Sequence, residues 1–358
     1  MTRSPTGVLL ALSTLLLFST PALAQPKRKP PQPPEIRGIS LSLHSKDPSF
    51  DYGPLLRELP SLGVNYVCVA FHVYQSHGGS PTPSRHATKT PSDGTIRAVL
   101  KEARRLKLEV ALLPIVLLEN PRPDDWRGNL SPPDRAGRVN TDSRYGTPDW
   151  SAWFKGYRKV TRHYARLAEE CRASVFSVGS ELSSSEAQVG EWRRVVAEVR
   201  KLFSGELTYS ANWDHYEHVK IWKELDYIGL SGYYELTTSK SPTLKELKKS
   251  WRKVRDTILD WRTKAKLLDR PLLFTEIGYP SMDGCASKPW DYTLLDNPPD
   301  LREQALCYLA FVAAWDGRPE LGGAVFYEWW GKGGRDDKGY TPRGKPALRV
   351  LRDWFRAE

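Results

Sequence analysis

Two glutamates lie in apolar segments, where a carboxylate is unexpected and can indicate a functional site. Glu181 follows a potential buried strand in the run SVFSVGSEL (174–182), and Glu276 interrupts the apolar run FTEIGY (274–279). In an α/β protein, a polar residue at the carboxyl end of a strand faces the loops where substrates bind. Taken alone, Glu181 could instead begin a helix, because a carboxylate favours the positive end of the helix dipole. A lone buried Glu276 would be costly, so its presence implies a polar pocket.

Two facing carboxyl groups, one protonated and one ionised, are what glycoside hydrolysis requires. In the retaining reaction they stand ~5 Å apart: one attacks the anomeric carbon, while the other protonates the departing oxygen and later deprotonates water. Mutual repulsion and partial burial raise the pKa of the acid, which keeps it protonated near neutrality. Glu181 and Glu276 predict this chemistry if the fold brings them face to face.

The elements that would position these carboxylates alternate between strand and helix patterns. Predicted strands cover residues 36–43, 64–74, 108–118, 174–182, 206–212, 225–234, 271–279 and 322–330. Predicted helices cover residues 52–62, 93–107, 150–171, 186–203, 216–224, 244–268, 301–315 and 347–355. Eight such units with mostly continuous apolar strands predict an α/β fold, a single (β/α)8 TIM barrel over residues 35–358. A doubly wound open sheet is the alternative; the eight units and the missing phosphate-binding fingerprint count against it.

Strands four and seven lie on opposite sides of an eight-stranded barrel, so Glu181 and Glu276 are expected to face each other across its mouth. Other residues at strand ends could bind a sugar, because the C–H face of a pyranose packs on aromatic rings. For any single tryptophan, however, core packing is an equally good explanation. The candidate substrate-binding residues are Ser180, Asn212, Trp213, Tyr233, Tyr234, Tyr279, Trp329 and Trp330.

Four segments together carry a resemblance to a known family: VGSEL (178–182), LTYSANWD (207–214), LDYIGLSGYY (225–234) and FTEIGY (274–279). In these segments, and over most of the mature chain, the sequence resembles glycoside hydrolase family 113 of clan A. The resemblance implies a retaining barrel enzyme, with endo-acting β-1,4-mannanases as the founding activity. It also implies that Glu181 is the acid/base, that Glu276 is the nucleophile, and that Tyr233 or Tyr234 lies against the nucleophile.

The sequence departs from the clan's pattern at two places near these motifs. Most of the clan has Asn immediately before the acid/base, where it binds the sugar 2-hydroxyl, but Ser180 stands here. Mannose and glucose differ at that carbon, so the sugar preference is left open. Glu235 stands where relatives are expected to have proline, and it either caps a turn or contacts substrate. Glu119 and Glu328 are further carboxylates near the rim; Glu328 could hold a sugar hydroxyl or form a structural ion pair.

The amino terminus has the features of a cleavable signal peptide. Arg3 precedes a short apolar run at 8–18, and PALA (21–24) ends in the small-x-small pattern that signal peptidases cut. Residues 1–24 are therefore predicted to be removed, and residues 25–34 (QPKRKPPQPP) to form an extended, basic linker. No stretch is long enough for a membrane span. The mature protein is predicted to be secreted or periplasmic.

Composition limits the other classes of partner. The formal net charge is +11, but the positive charges are scattered, which favours a solvated cationic surface over a nucleic-acid site. The seven histidines form no HxH or HExxH pattern, and no GxSxG, phosphate-loop or GxGxxG motif occurs. We therefore expect no metal and no cofactor, a polysaccharide or oligosaccharide substrate, and a monomer. Cys285 and Cys307 could form a disulfide, although sequence cannot fix their pairing.

Two alternatives remain at the level of sequence. One is a β-glycanase of another specificity, acting on glucan or an envelope polymer. The other is a catalytically silent barrel that binds polysaccharide through aromatic rings and its cationic surface. The presence of both Glu181 and Glu276 counts against the silent barrel, since a binding protein gains little from two repelling carboxylates.

Overall fold

Eight parallel strands close into a barrel in which each strand pairs with its neighbours in sequence and the first pairs with the last. The computed structural model describes residues 36–138, 148–293 and 296–356; the predicted signal peptide and linker lie outside them. The strands are β1 Ile36–Ser42, β2 Tyr66–Gln75, β3 Glu109–Leu118, β4 Val175–Ser180, β5 Glu206–Ala211, β6 Ile228–Ser231, β7 Leu272–Ile277 and β8 Leu321–Phe326. The predicted single (β/α)8 barrel is confirmed.

Seven α-helices are present in the described part of the chain. They are α1 Gly53–Glu58, α2 Asp93–Arg105, α3 Trp150–Glu170, α4 Val189–Arg200, α5 Leu244–Lys264, α6 Leu301–Trp315 and α7 Pro346–Phe355. Their starts follow local chemistry: the Ser92 side chain accepts from the amide of Thr95 at the start of α2, and Thr243 with Glu246 forms a capping box at α5. None of these helices combines the length and apolarity needed to span a bilayer.

The predicted helix at 216–224 was wrong. This segment forms turns and one 3-10 turn, Trp222–Glu224. The Trp222 indole donates to the carbonyl of Tyr216 at 3.0 Å. An α-helix would pair that carbonyl with the amide of Lys220. Packing of a buried tryptophan side chain therefore replaces the local helical bond.

The strands are buried on both faces because they separate two apolar cores. In β2, Tyr66, Cys68 and Ala70 belong to the cluster inside the barrel, while the alternate residues Val67 and Val69 pack in the larger cluster towards the helices. This alternation follows from the two-residue period of a strand. It explains why the strand sequences are continuously apolar and why a carboxylate in them is conspicuous.

Candidate active site

Glu181 lies directly after β4 and has an unusual backbone conformation. Its φ of +51° is in the left-handed region, which is rare for a residue with a side chain. The two amides beside its Cα are both held by β5: Glu181 N donates to the carbonyl of Ser210 at 2.8 Å, and Leu182 N donates to Oη of Tyr209 at 2.9 Å. The β4–β5 register shifts between Ser177 and Ser180. These features turn a buried glutamate out of the strand at the barrel mouth.

Glu276 lies within β7 and is 5% exposed. Tyr233, which follows β6, donates its hydroxyl hydrogen to Oε2 of Glu276 at 3.1 Å. The other carboxylate oxygen has no hydrogen-bond partner within the described residues. One oxygen of Glu276 is thus oriented by a phenol, and the other is available to a ligand.

The structure adds Arg127, a residue that sequence reasoning missed. It begins a 3-10 turn, Arg127–Asn129, in the long connection between β3 and α3. Its guanidinium forms an ion pair with the carboxylate of Glu181, and its positive charge also acts on Glu276. The length of that connection was the only signal in the sequence, because long loops in compact domains are often functional.

The electrostatics of the pair differ from expectation. The pKa of Glu276 is raised to about 7, first by burial and then by the nearby carboxylate of Glu181. Arg127 and the hydrogen bond from Tyr233 act in the opposite direction. The sequence predicted a raised pKa for the acid; the raised pKa found in the structure is that of the predicted nucleophile, because β7 buries its carboxyl group.

The two adjacent tyrosines after β6 point in different directions. Tyr233 faces Glu276, whereas the ring of Tyr234 packs edge-on against Trp213 and Trp251, with centroid distances of 5.5 Å for both. Trp251 belongs to α5, so Tyr234 faces the helical layer. The choice that the sequence left open between the two tyrosines is therefore decided by geometry in favour of Tyr233.

Tyr279 also differs from its predicted place. It is fully buried, its hydroxyl accepts from the Trp251 indole at 3.0 Å, and its ring packs on Tyr308 of α6. These neighbours belong to helices outside the barrel. Tyr279 thus fills the layer between barrel and helices, and it does not join the candidate substrate-binding residues at the mouth.

Three other predicted residues lie at the ends of β4 and β5. Ser180 is buried, and its hydroxyl has no partner within the described residues. Asn212 is half-buried and donates to Asp214 at 2.7 Å. Trp213 is half-buried and touches Tyr234. Ser180 is therefore the one of the three with an unused buried polar atom.

The side chains of residues 328–330, which follow β8, make polar and aromatic contacts. Oε2 of Glu328 lies at hydrogen-bond distance, 2.9 Å, from Nε2 of His44, so this carboxylate has a protein partner. Trp330 is half-buried beside His44, whereas Trp329 is 2% exposed and lies under the guanidinium of Arg343. Of the two tryptophans, Trp330 has the more accessible ring.

Two further polar residues, Glu119 and His72, lie near the ends of β3 and β2. Glu119 pairs with Lys89 at 2.8 Å and with His86 at 3.0 Å. His72, near the end of β2, has its pKa lowered to about 3 by burial and by the nearby His44 and Arg127. The His72 side chain is therefore neutral over the pH range in which most enzymes work.

In the described part of the chain, one cluster of three acidic residues has its carboxylate oxygens close enough together to share a cation. Its members are Asp283, Asp300 and Glu303. Both carboxylate oxygens of Glu303 accept backbone amides, from Gly284 and Ala286, and Asp300 accepts the amide of Glu303 at the start of α6. Asp300 therefore caps α6, and Glu303 holds the backbone of the preceding loop. Nearby, Cys285 and Cys307 are buried free thiols in hydrogen-bonding contact.

Comparisons with known proteins place this geometry in a family. The profile described as Glycoside Hydrolase Family 113 matches residues 54–345. A solved GH113 β-1,4-mannanase complex superposes with a TM-score of 0.77 at 27% identity, covering 90% of this chain and 99% of the other. The GH113 β-mannanase AaManA from Alicyclobacillus acidocaldarius, in complex with ManMIm, gives a TM-score of 0.76 at 29% identity, covering 90% of this chain and 97% of the other.

A more distant structure shares the fold. A glycoside hydrolase family 5 mannosidase from Rhizomucor miehei superposes with a TM-score of 0.56 at 12% identity, covering 90% of this chain and 93% of the other. The comparison with curated protein sequences gives no match. Because the family profile spans most of the barrel, the protein belongs to glycoside hydrolase family 113 and is a retaining β-glycoside hydrolase.

Proposed function

We propose that the protein is an exported, endo-acting β-1,4-mannanase in which Glu276 is the nucleophile and Glu181 is the acid/base. The observation that carries this proposal is the hydrogen bond from Tyr233 to Glu276 together with the Arg127–Glu181 ion pair, whose two charges both act on the Glu276 carboxyl group. Two solved members of the family, similar to this chain over nine-tenths of its length, are described as β-mannanases. Export is supported by the predicted signal peptide at 1–24.

In the first step, a carboxylate oxygen of Glu276 attacks the anomeric carbon as the glycosidic C–O bond breaks, and Glu181 donates its proton to the leaving oxygen. The product is a glycosyl ester on Glu276. In the second step, Glu181 removes a proton from water, the water oxygen attacks the anomeric carbon, and the ester bond breaks. Glu181 ends protonated and Glu276 ionised, as they began.

Glu276 must be ionised to attack, and its neighbours act on its pKa in opposite directions. Burial and the carboxylate of Glu181 raise the pKa of Glu276 to about 7, whereas the positive charge of Arg127 lowers it. Tyr233 assists because its hydrogen bond favours the carboxylate of Glu276.

The sugar preference rests on the position before Glu181. The buried hydroxyl of Ser180 has no partner, and a buried unpaired polar atom is costly unless a ligand or water satisfies it. A hydroxyl beside the acid/base can bond the sugar 2-hydroxyl directly or through water. Because mannose and glucose differ in the direction of that hydroxyl, Ser180 is the residue we expect to tune this preference.

Reducing-sugar release from mannan, glucomannan, cellulose, xylan and β-glucan tests the proposal, with the Glu276→Ala variant as control. Release from mannan as oligosaccharides of mixed length, absent in the variant, supports an endo-mannanase. Release of single sugars only would contradict endo action. Release from glucan or xylan but not mannan would support a β-glycanase of other specificity. Equal binding without turnover by wild type and variant would support a silent barrel.

A further inference from the structure

A buried chain of hydrogen bonds leads from the backbone beside Glu181 to a surface histidine. The Leu182 amide donates to Oη of Tyr209 at 2.9 Å, and the Tyr209 hydroxyl donates to Oε1 of Glu186 at 2.7 Å. Oε2 of Glu186 lies 2.6 Å from Nδ1 of His215. Tyr209 and Glu186 are buried, whereas the His215 side chain is 35% exposed. None of these three side chains bonds either proposed catalytic carboxylate.

The direction of this chain is fixed by chemistry. A tyrosine hydroxyl has one hydrogen to donate, and an ionised carboxylate only accepts. A backbone amide can only donate, so the Tyr209 oxygen accepts from the Leu182 amide, and the single hydroxyl hydrogen of Tyr209 goes to Glu186. The chain of hydrogen bonds therefore links the carboxyl group of Glu186 to the peptide bond between Glu181 and Leu182.

The surroundings of Glu186 act on its pKa in both directions. Burial raises the pKa of Glu186, and the nearby Asp214 adds to this, while hydrogen bonds from Tyr209 and His215 lower it. His215 also lies against a second imidazole, His218, with ring centroids 4.5 Å apart. Nδ1 of His215 is thus the partner at the solvent end of this chain of hydrogen bonds, and its bond to Glu186 opposes the rise in the pKa of that carboxyl group.

The backbone of Glu181 needs such support. Its left-handed φ of +51° is strained for a residue with a side chain, and strained residues persist where their surroundings hold them on both sides. The Ser210 carbonyl holds the amide before its Cα, and Tyr209 holds the amide after it. If the second bond is lost, the peptide can rotate and move the carboxylate away from the mouth.

We propose that Tyr209, Glu186 and His215 form a positioning relay that holds the backbone of Glu181 in its left-handed conformation. This inference rests on the proposed role of Glu181 as acid/base. The relay touches no sugar. Its loss therefore lowers kcat through misplacement of the carboxylate and leaves KM nearly unchanged, since the groups that bind substrate stay in place.

The barrel offers a matched control at its opposite end. The Tyr227 hydroxyl donates to Oε2 of Glu206 at 2.9 Å, at the start of β5 and just before β6. Tyr227→Phe and Tyr209→Phe each remove one tyrosine–glutamate hydrogen bond from a buried ring. Only the bond between Tyr209 and Glu186 is connected to the backbone of Glu181.

The test compares Tyr209→Phe with Tyr227→Phe on the polysaccharide that wild type hydrolyses. We expect Tyr209→Phe to lower kcat by about tenfold or more with KM changed less than about twofold, and Tyr227→Phe to leave kcat within about twofold. Equal effects on kcat would overturn the relay.

A second pair of variants tests the solvent end and remains usable if Tyr209→Phe does not fold. Nδ2 of asparagine can take the place of the histidine Nδ1 donor, so His215→Asn should retain most of the wild-type kcat. His215→Leu offers no donor and should lower kcat. Equal kcat values for the two variants would contradict a role for the donor.

Hydrogen–deuterium exchange separates the relay from the proposed function. We expect the Leu182 amide to exchange about tenfold faster in Tyr209→Phe than in wild type, and to be unchanged in Tyr227→Phe. If wild type hydrolyses no polysaccharide, the proposed function fails, and this exchange still tests the relay. Unchanged exchange at Leu182 in Tyr209→Phe would overturn the relay even in an active enzyme.

Discussion

Tyr233 donates its hydroxyl hydrogen to Oε2 of Glu276 at 3.1 Å, across two neighbouring strand ends of the barrel. The bond lowers the pKa of a carboxyl group that burial and Glu181 raise to about 7. Because the proposed nucleophile must be ionised to attack, this phenol opposes the two effects that would keep it protonated. The reactivity of Glu276 is therefore a balance among its neighbours.

Tyr233→Phe should lower kcat by about 10- to 100-fold, because it removes a hydrogen bond to the reacting carboxylate. It should also move the acid limb of the kcat/KM profile to higher pH, since the pKa of Glu276 rises further. Tyr234→Phe is the control: its hydroxyl has no partner within the described residues, and its ring faces α5. A Tyr233→Phe profile that overlays that of Tyr234→Phe would contradict the role of this bond.

Arg127→Ala should also move the acid limb of the pH profile to higher pH. The guanidinium lowers the pKa of Glu276, and its removal leaves the two carboxyl groups to repel each other without compensation. Arg127→Lys retains the positive charge and should show a smaller displacement. The kcat/KM profiles of the three proteins check this order; an acid limb that stays in place in Arg127→Ala would contradict it.

Glu276→Gln should stabilise the protein at pH 8 relative to wild type. The folded-state pKa is raised, so the carboxyl contributes most to stability below its unfolded value of about 4.5, and this contribution is lost as pH rises towards about 7. The variant does not titrate. The unfolding free energy of Glu276→Gln relative to that of wild type should therefore increase by an amount on the order of 2 kcal/mol between pH 5 and 8. Urea unfolding at the two pH values measures it, and an unchanged difference would contradict the raised pKa.

Gly179→Ala should destabilise the fold by about 1–3 kcal/mol, because an added methyl has no room. An ideal Cβ at Gly179 would lie 2.8 Å from Trp192, 2.9 Å from Tyr209 and 3.0 Å from Tyr157. Gly190→Ala in α4 is the control: its Cβ meets nothing within 4 Å, and alanine favours helix. Thermal unfolding should lower Tm only in Gly179→Ala; equal Tm values would show that these rings can move.

Much of this fold could be predicted because the strands of a barrel have a recognisable sequence pattern. The continuous apolar runs follow from burial on both faces, and a glutamate in such a run can lie only where a polar pocket exists. The order of strand ends then placed Glu181 and Glu276 on opposite sides of the mouth. The same pattern could not separate Tyr233 from Tyr234, since one step along a strand reverses the side chain.

The features that escaped prediction depend on contacts between segments distant in sequence. Arg127 lies in an irregular loop whose path no periodicity describes. Tyr279 stands at a strand end like the true mouth residues, but helices α5 and α6 enclose it. The raised pKa of Glu276 required knowing how deeply its carboxyl group is buried and that the carboxylate of Glu181 lies nearby. Such information exists only once the chain is folded.

The most direct test of the central claim is to trap the covalent intermediate. A 2-fluoro-mannosyl fluoride carries a good leaving group and slows hydrolysis of the glycosyl ester, so a retaining enzyme accumulates that ester on its nucleophile. Peptide mapping by mass spectrometry after incubation should find one glycosyl group on Glu276, and none in Glu276→Ala. A glycosyl group on Glu181, or turnover of this reagent with inverted stereochemistry and no adduct, would contradict the account.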